Sequence, residues 1–538
     1  MQKKHFLFIV FSLFLALSLN AQEYNILSFG AVADGKTINT KAIQTAIDHA
    51  ATQGGKVVVP AGVFLSGTLY LKNGTHIVIE KNAVLKGSPF FKDYPDNKVT
   101  YQNAFTHEGG VSRSNKSFLF AEHITGITLS GEGTIDGNGD SKEFQLGNDD
   151  TPQSRLRPCM LLIIDSKKIT LNGLHLTNSA YWMQNYLGCD DLKLIGLNIY
   201  AHSNYNQDAM DIDAKNVLVE NCKIDVDDDG ICFKSHDGER AVENVVVRNC
   251  DVGTNCNAIK FGTLSICAFK NFKISDINIH KASADHIRQW QKNLKFIGLP
   301  TTVISGIALE SVDGSLIEDI NINNVRMQDV QTPIFIVLGN RGRNQAAGQN
   351  FYDVSTVTSA KIGRISNINI SNVTASSYSK MSSSITAYPG QYIENVKLTN
   401  VVLDDMGGGT KEESEMVLPE NSKAYPENRM YGLVYPASGL FIRHAKGIEL
   451  NNVKLVVRNV DYRSTIVFDD VMNSKLSAVN LIAPKGKKAA ITLVKCKNIN
   501  IDKPKFNTQN SPLVALKGTA EKDVSISGLK KFKNWIVN

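Results

Sequence analysis

The chain has 538 residues, 20% of them charged, and a formal net charge of +6. With 42% hydrophobic residues and no low-complexity tract, it is not a disordered or collagen-like polymer. The weak basic excess is spread along the chain, which argues against nucleic acid as a partner and suits an acidic polysaccharide.

The first residues, "MQKKHFLFIVFSLFLALSLNAQ", combine a basic start, a short apolar run and a small-residue exit. They predict a secretory signal peptide over residues 1–21, cleaved near Ala21–Gln22. Losing Lys3 and Lys4 with it lowers the net charge from +6 to +4. The remainder, 22–538, is expected to be one exported domain, periplasmic or secreted and monomeric. No membrane anchor is expected, since no later apolar run is long enough to span a bilayer.

One helix is predicted, in "TKAIQTAIDHAATQGG". Asn39 or Thr40 would cap its start, Ala42, Ile43, Ala46, Ile47 and Ala50 share one face, and Gly54 marks the exit. Beyond it, short motifs of β-branched residues recur to the end of the chain. The last residues of five of them, Leu171, Leu194, Val219, Val247 and Ile274, are 23, 25, 28 and 27 positions apart. A period in the twenties with three to five strand-like residues per repeat predicts a β-solenoid whose coils are buried only by stacking, with the helix covering the open first coil. Intervals of about twice the period, near 80–128, 275–320 and 401–447, mark a weak coil or a long loop. The last contains the polar, Pro-bearing "TKEESEMVLPENSKAYPENRMYG", expected as a surface excursion walling one side of a cleft. Asn follows many motifs, at 172, 221, 249, 324, 372, 400 and 452, where stacked amides can satisfy one another. Of the eight cysteines, Cys222 and Cys250 hold the same place in successive repeats, so reduced core thiols are expected rather than a bridge.

Chemistry concentrates in "NYNQDAMDID" and "DVDDDGICFKS". The second begins like a calcium loop but has His236 where a Glu ligand is required, and its flanks read as strands. Asp208 and Asp228 are 20 residues apart, close to one coil, so the two motifs should lie on neighbouring rungs. Asp208, Asp228 and Asp229 would then crowd one another, which keeps one carboxyl protonated beside an ionised one. An acid paired with a base is what glycosidic bond hydrolysis requires.

Three stretches, "YNILSFGAVADGKTINTKAIQTAIDHAATQGGKVVVPAGVFLSGTLYLK", "GEGTIDGNG" and "RPCMLLIIDSKKITLNGLHLTNSAYWMQN", together with the acidic motifs, resemble glycoside hydrolase family 28. This is the polygalacturonase family of pectin-lyase-like right-handed parallel β-helices. Its Asn-Thr-Asp-Gly-x-Asp pattern is met at Asn206-Gln207-Asp208-Ala209-Met210-Asp211, and its Asp-Asp pair at Asp228 and Asp229 before Lys234-Ser235. The resemblance implies an all-β right-handed parallel β-helix acting on a pectic polysaccharide or oligosaccharide, of polygalacturonate or rhamnogalacturonan type, with inversion. Asp228 would be the acid, Asp208 and Asp229 would hold and deprotonate water, and no metal or organic cofactor is implied. Candidate substrate contacts are Asn206, Lys234, His236, Asn257, Lys260, Glu310 and Arg341.

The sequence departs from the family pattern at two places. Asn257 stands at the position of the histidine in the family's Gly-His-Gly, and Ala308 and Glu310 stand where its Arg-Ile-Lys would put cations. A glutamate there is expected to repel a galacturonate, and Arg341 and Arg343 are the replacement cations on offer. His202 and His236 are candidates to take over the missing histidine's work, and Tyr181, Trp182 and Tyr205 for sugar stacking or packing. A polysaccharide lyase or epimerase on the same solenoid, and a non-catalytic glycan-binding solenoid, remain alternative readings.

Overall fold

The computed structural model describes residues 22–101, 115–145, 156–284, 301–342, 361–507, 511–528 and 536–537. The expected signal segment, residues 1–21, and Arg343 lie outside them. Among the described residues no helix is long and apolar enough to cross a membrane.

The recurring motifs form three ladders of parallel strands wound as a right-handed β-helix, in which each strand pairs with its equivalent one coil later. Leu171 pairs with Leu194, Leu194 with Val219, Val219 with Val247, and Val247 with Ile274. These are the spacings of the sequence repeat, because the inward residue of each coil must stack on the last to be buried. Ile274 then pairs directly with Ile322, and Leu398 with Leu450. The strands flanking each doubled interval there therefore pair directly, as one coil with the next.

Asn at the corners has a backbone cause. Asn221, Asn249, Asn324, Asn372, Asn400 and Asn452 all adopt φ between 52° and 58°, the left-handed region that Asn tolerates better than other side-chain-bearing residues. At Asn172 the turn falls one residue later, on Gly173 at φ 75°. The amides stack as expected: Asn400 Nδ2 donates to Asn372 Oδ1 at 3.0 Å, and Asn452 Nδ2 to Asn400 Oδ1 at 2.9 Å.

The helix spans Thr40–Gln53, buries Ile43, Ala46, Ile47 and Ala50, and ends at Gly54. Asn39 precedes it without a side-chain cap bond; its amide is spent on Val32 and Thr37 carbonyls instead. The helix packs over the first strands as the solenoid's lid. None of the eight cysteines is in a disulfide, and six of them are buried.

Candidate active site

Two turns deliver the carboxylates into one ladder. Residues 202–209 lead into the strand Met210–Glu220, and residues 227–230 lead into Ile231–Ser235. Along these strands Met210, Ile212, Ile231 and Phe233 point into the core, so Asp211, Cys232 and Lys234 face outward. Met210 pairs with Ile231, and Ile231 with Ile259. Extended two positions back, this register sets Asp208 against Asp229 and Asp229 against Asn257. The coil here is 21 residues rather than the expected 20, so Asp229 and not Asp228 lies directly beside Asp208.

The carboxylates open onto a cleft of about 390 Å³. It is lined on this side by Trp182, Asn206, Asp208, Asp228, Asp229, Lys234, Cys256, Asn257 and Lys260. Asn206 sits at φ 54°, its Oδ1 accepting from the buried Arg157 at 3.2 Å. Arg157 also grips the carbonyls of Ala180 and Tyr205 and packs on the rings of Tyr181 and Tyr205 at 4.7 and 4.0 Å. Those two tyrosines thus anchor the turn, while Trp182 alone of the three aromatics lines the cleft.

Four buried or half-buried carboxylates, Asp208, Asp211, Asp228 and Asp229, share two ammonium groups. Lys234 Nζ lies 3.0 Å from Asp211 and 3.9 Å from Asp208. Lys260 Nζ lies 2.9 Å from Asp229. Both lysines stay charged, since the facing carboxylates outweigh the burial that works against the charge. Burial also works to raise Asp229, but Lys260, Lys234 and a 2.8 Å bond from Asn257 Nδ2 hold it down at about 2. Among the described residues Asp208, 3.9 Å from Lys234, and Asp228 have no cation as close as these, and both hold their protons more tightly than a free carboxyl. Burial and repulsion from Asp211, Asp228 and Asp229 push Asp208 well above the usual carboxylate range, and burial and Asp229 push Asp228 up to about 7. The arrangement holds acid and base side by side because cations are rationed.

Asp228, Asp229 and Cys256 bring three ligating atoms within 4.8 Å of one another, but the Lys260 ammonium already stands where a cation would meet Asp229.

Arg341 lines the cleft, its Nε donating to Asp313 Oδ1 at 2.8 Å and its Nη2 to Oδ2. The structure does not bring His236 to the cleft. Asp213 Oδ2 accepts from its backbone N–H at 2.9 Å and meets its Nδ1 at 3.1 Å, and the residue is 2% exposed. His202 is equally buried, against Asp225 at 2.8 Å, so neither histidine replaces the one at Asn257. Glu310 lies behind the lining at 0% exposure, under Thr263, whose hydroxyl donates to Oε2 at 3.4 Å. Burial raises it to about 8 against the pull of Lys260. It is an uncharged acid at neutral pH, so the expected repulsion of a galacturonate does not arise.

The far wall comes from residues 408–436, the polar excursion, which places Tyr425, Glu427 and Arg429 on the cleft. Leu418, Met430, Tyr431 and Tyr435 of this loop pack with Ala308, Phe335 and Phe441 as a second small core outside the solenoid. Asn428, fully buried, donates to the Ile304 carbonyl at 2.9 Å. The sequence predicted a wall here but none of its residues, since they share the cleft with Asp229 only across about 200 positions of chain.

Residues 51–423 match the model of glycosyl hydrolases family 28, and the chain belongs to that family. It is 28% identical over 229 residues to a probable polygalacturonase of Vitis vinifera, covering 41% of this chain and 46% of that one. The chain thus spans about half the length of that relative. An endo-polygalacturonase of Pectobacterium parmentieri is 25% identical over 345 residues, 61% of this chain and 77% of that one. Among solved structures, an exopolygalacturonase of Thermotoga maritima superposes with a TM-score of 0.60 at 17% identity, over 81% of this chain and 92% of that one. At that identity the likeness shows the shared fold.

Proposed function

We propose that this chain is an exported glycoside hydrolase that cuts a pectic polysaccharide or oligosaccharide by acid and base catalysis with inversion. One observation carries the reading: Asp228, raised to about 7, lies next to Asp229, held at about 2, in a cleft of sugar size. Asp228 is the more open of the protonated pair and donates to the leaving glycosidic oxygen. Asp229, ionised, takes a proton from the attacking water, with Asp208 holding that water. Lys260 and Lys234 keep the negative charge in place as the proton moves. Family membership and the polygalacturonase relatives support pectin as the material cut, and the leading segment 1–21 supports export.

The test is incubation of the purified protein with polygalacturonate, rhamnogalacturonan and their oligosaccharides. New reducing ends, first appearing with the anomeric configuration opposite to that of the bond cut, are expected. Products with an unsaturated, ultraviolet-absorbing sugar would make the protein a lyase, and binding without turnover a lectin-like solenoid. Either outcome overturns the proposal.

A further inference from the structure

Among the described residues four cationic side chains line the cleft: Lys234, Lys260, Arg341 and Arg429. Three are committed to buried carboxylates, Lys234 to Asp211 at 3.0 Å, Lys260 to Asp229 at 2.9 Å and Arg341 to Asp313 at 2.8 Å. Arg429 differs. Among the described residues its side chain makes a single hydrogen bond, from Nη2 to Glu427 Oε2, and Glu427 itself lines the cleft with its side chain 27% exposed. Among the described residues the Nε–H of Arg429 is buried and meets no acceptor. A guanidinium offers five N–H donors in a planar fork that matches a carboxylate edge to edge. Most of that capacity is unspent here.

Across the cleft stands a complementary group. Asn257 Oδ1 is buried with no donor among the described residues, while its Nδ2 is bound to Asp229. Buried polar atoms without partners are uncommon in folded proteins. Of the side chains lining this cleft, Arg429 and Asn257 each carry one, a donor and an acceptor.

The position of Arg429 is built by the fold. Next to it, Asn428 Nδ2 donates to the Ile304 carbonyl at 2.9 Å and lies 3.2 Å from both Gln331 Oε1 and Thr332 Oγ1. Tyr435 Oη donates to the Asn428 carbonyl at 2.8 Å. Met430, on the other flank, is part of the outer core. The residue is therefore held over the rungs next to the carboxylates, although it belongs to a loop. On those rungs Ala308 and Glu310 supply no charge to attract an acidic sugar, Glu310 being buried.

We propose that Arg429 is the specificity-determining residue of this cleft, its guanidinium receiving the carboxylate of a uronic acid residue of the bound glycan. The inference rests on the reading of the cleft as a pectic glycan site and names the group that selects the acid over its ester. Binding the carboxylate lets the guanidinium exchange one partial partner, Glu427, for a paired contact, and frees Glu427 to accept from a sugar hydroxyl. A neutral methyl ester offers neither the charge nor the second strong acceptor.

Binding is measured by titration calorimetry on Asp228→Asn protein, in which turnover is too slow to consume the ligand during a titration. The ligands are an oligogalacturonate and a rhamnogalacturonan oligosaccharide, each as free acid and as methyl ester. At least one free acid is expected to bind more tightly than its ester. Arg429→Met is expected to weaken the acid about tenfold or more while changing the ester far less. Arg429→Lys, which keeps the charge and loses the fork, is expected to fall between, and it carries the test if the Met variant does not fold. Equal weakening of acid and ester, no weakening of either, an ester bound as tightly as its acid, or binding of none of the four ligands overturns the inference. Hydrolysis by the wild type is scored separately. Turnover without an Arg429 effect removes the inference alone, and acid-selective binding without turnover removes the hydrolase reading alone.

Discussion

Glu310→Gln isolates the cost of a buried acid that touches neither the proposed chemistry nor the cleft surface. In the folded chain burial raises this carboxyl from 4.5 to about 8. Between those values the folded state keeps a proton that the unfolded chain releases, so stability falls as pH rises through that window. Glutamine imitates the protonated form at every pH. The variant should match the wild type near pH 4, gain about 3 kcal/mol by pH 7, and gain about 5 kcal/mol above pH 9. These are upper figures, because water reaching the site in the ionised state lowers the cost. With an unfolding entropy of about 1 kcal/mol per degree for a chain of this size, the gain at pH 7 is an increase in Tm of about 3 °C. Thermal unfolding of both proteins across a pH series measures it. A Tm difference that stays constant with pH, or that favours the wild type at high pH, refutes the assignment of a neutral Glu310. Turnover of an acidic substrate at pH 6 should also be close to wild type, because the native residue is already uncharged there.

Other expectations concern the acids and the loop. Asp228→Asn should lower kcat by about 10²–10⁴, and in the wild type kcat/KM should fall tenfold per unit above a pH of about 7 as Asp228 loses its proton; an alkaline limb near pH 4 would contradict the acid assignment. Lys260→Met leaves Asp229 ionised and buried without its 2.9 Å partner, so urea unfolding at pH 7 should show a loss of about 3–5 kcal/mol. Adding Asp229→Asn should return much of it, and simple additivity of the two changes would mean that the pair is not coupled. Asn428→Ala removes the buried amide that ties the excursion to Ile304, with an expected cost of about 1–3 kcal/mol. It should raise KM more than it lowers kcat, and a fall in kcat with KM unchanged would show that the loop acts on the chemistry instead.

Much of the architecture was legible residue by residue. The intervals between Leu171, Leu194, Val219, Val247 and Ile274 are the strand registers themselves, since in a solenoid each coil contacts only its neighbours and sequence spacing becomes spatial stacking. The corner asparagines were legible as a structural ladder, although their positive φ was not. The two acidic motifs fell on adjacent rungs as expected, one residue out of the anticipated register. His236 and Glu310 were placed correctly along the chain but not in depth. Local spacing says which rung a residue occupies, whereas Asp213 decides that the imidazole turns inward and Thr263 covers the carboxyl.

The sequence by itself determined the parallel β-helix, its helical lid and the gathering of Asp208, Asp228 and Asp229, because all three depend on periods and motifs within one or two coils. Only the tertiary structure decided how charge is shared and who lines the far wall. Which carboxylate keeps its proton depends on which of them lies nearest Lys234 or Lys260, a matter of ångströms that spacing does not encode. The approach of Arg429 to this site depends on an outer core built from distant segments, with Leu418, Met430 and Tyr435 closing on Ala308 and Phe335, and contacts of such separation leave no period in the chain to read.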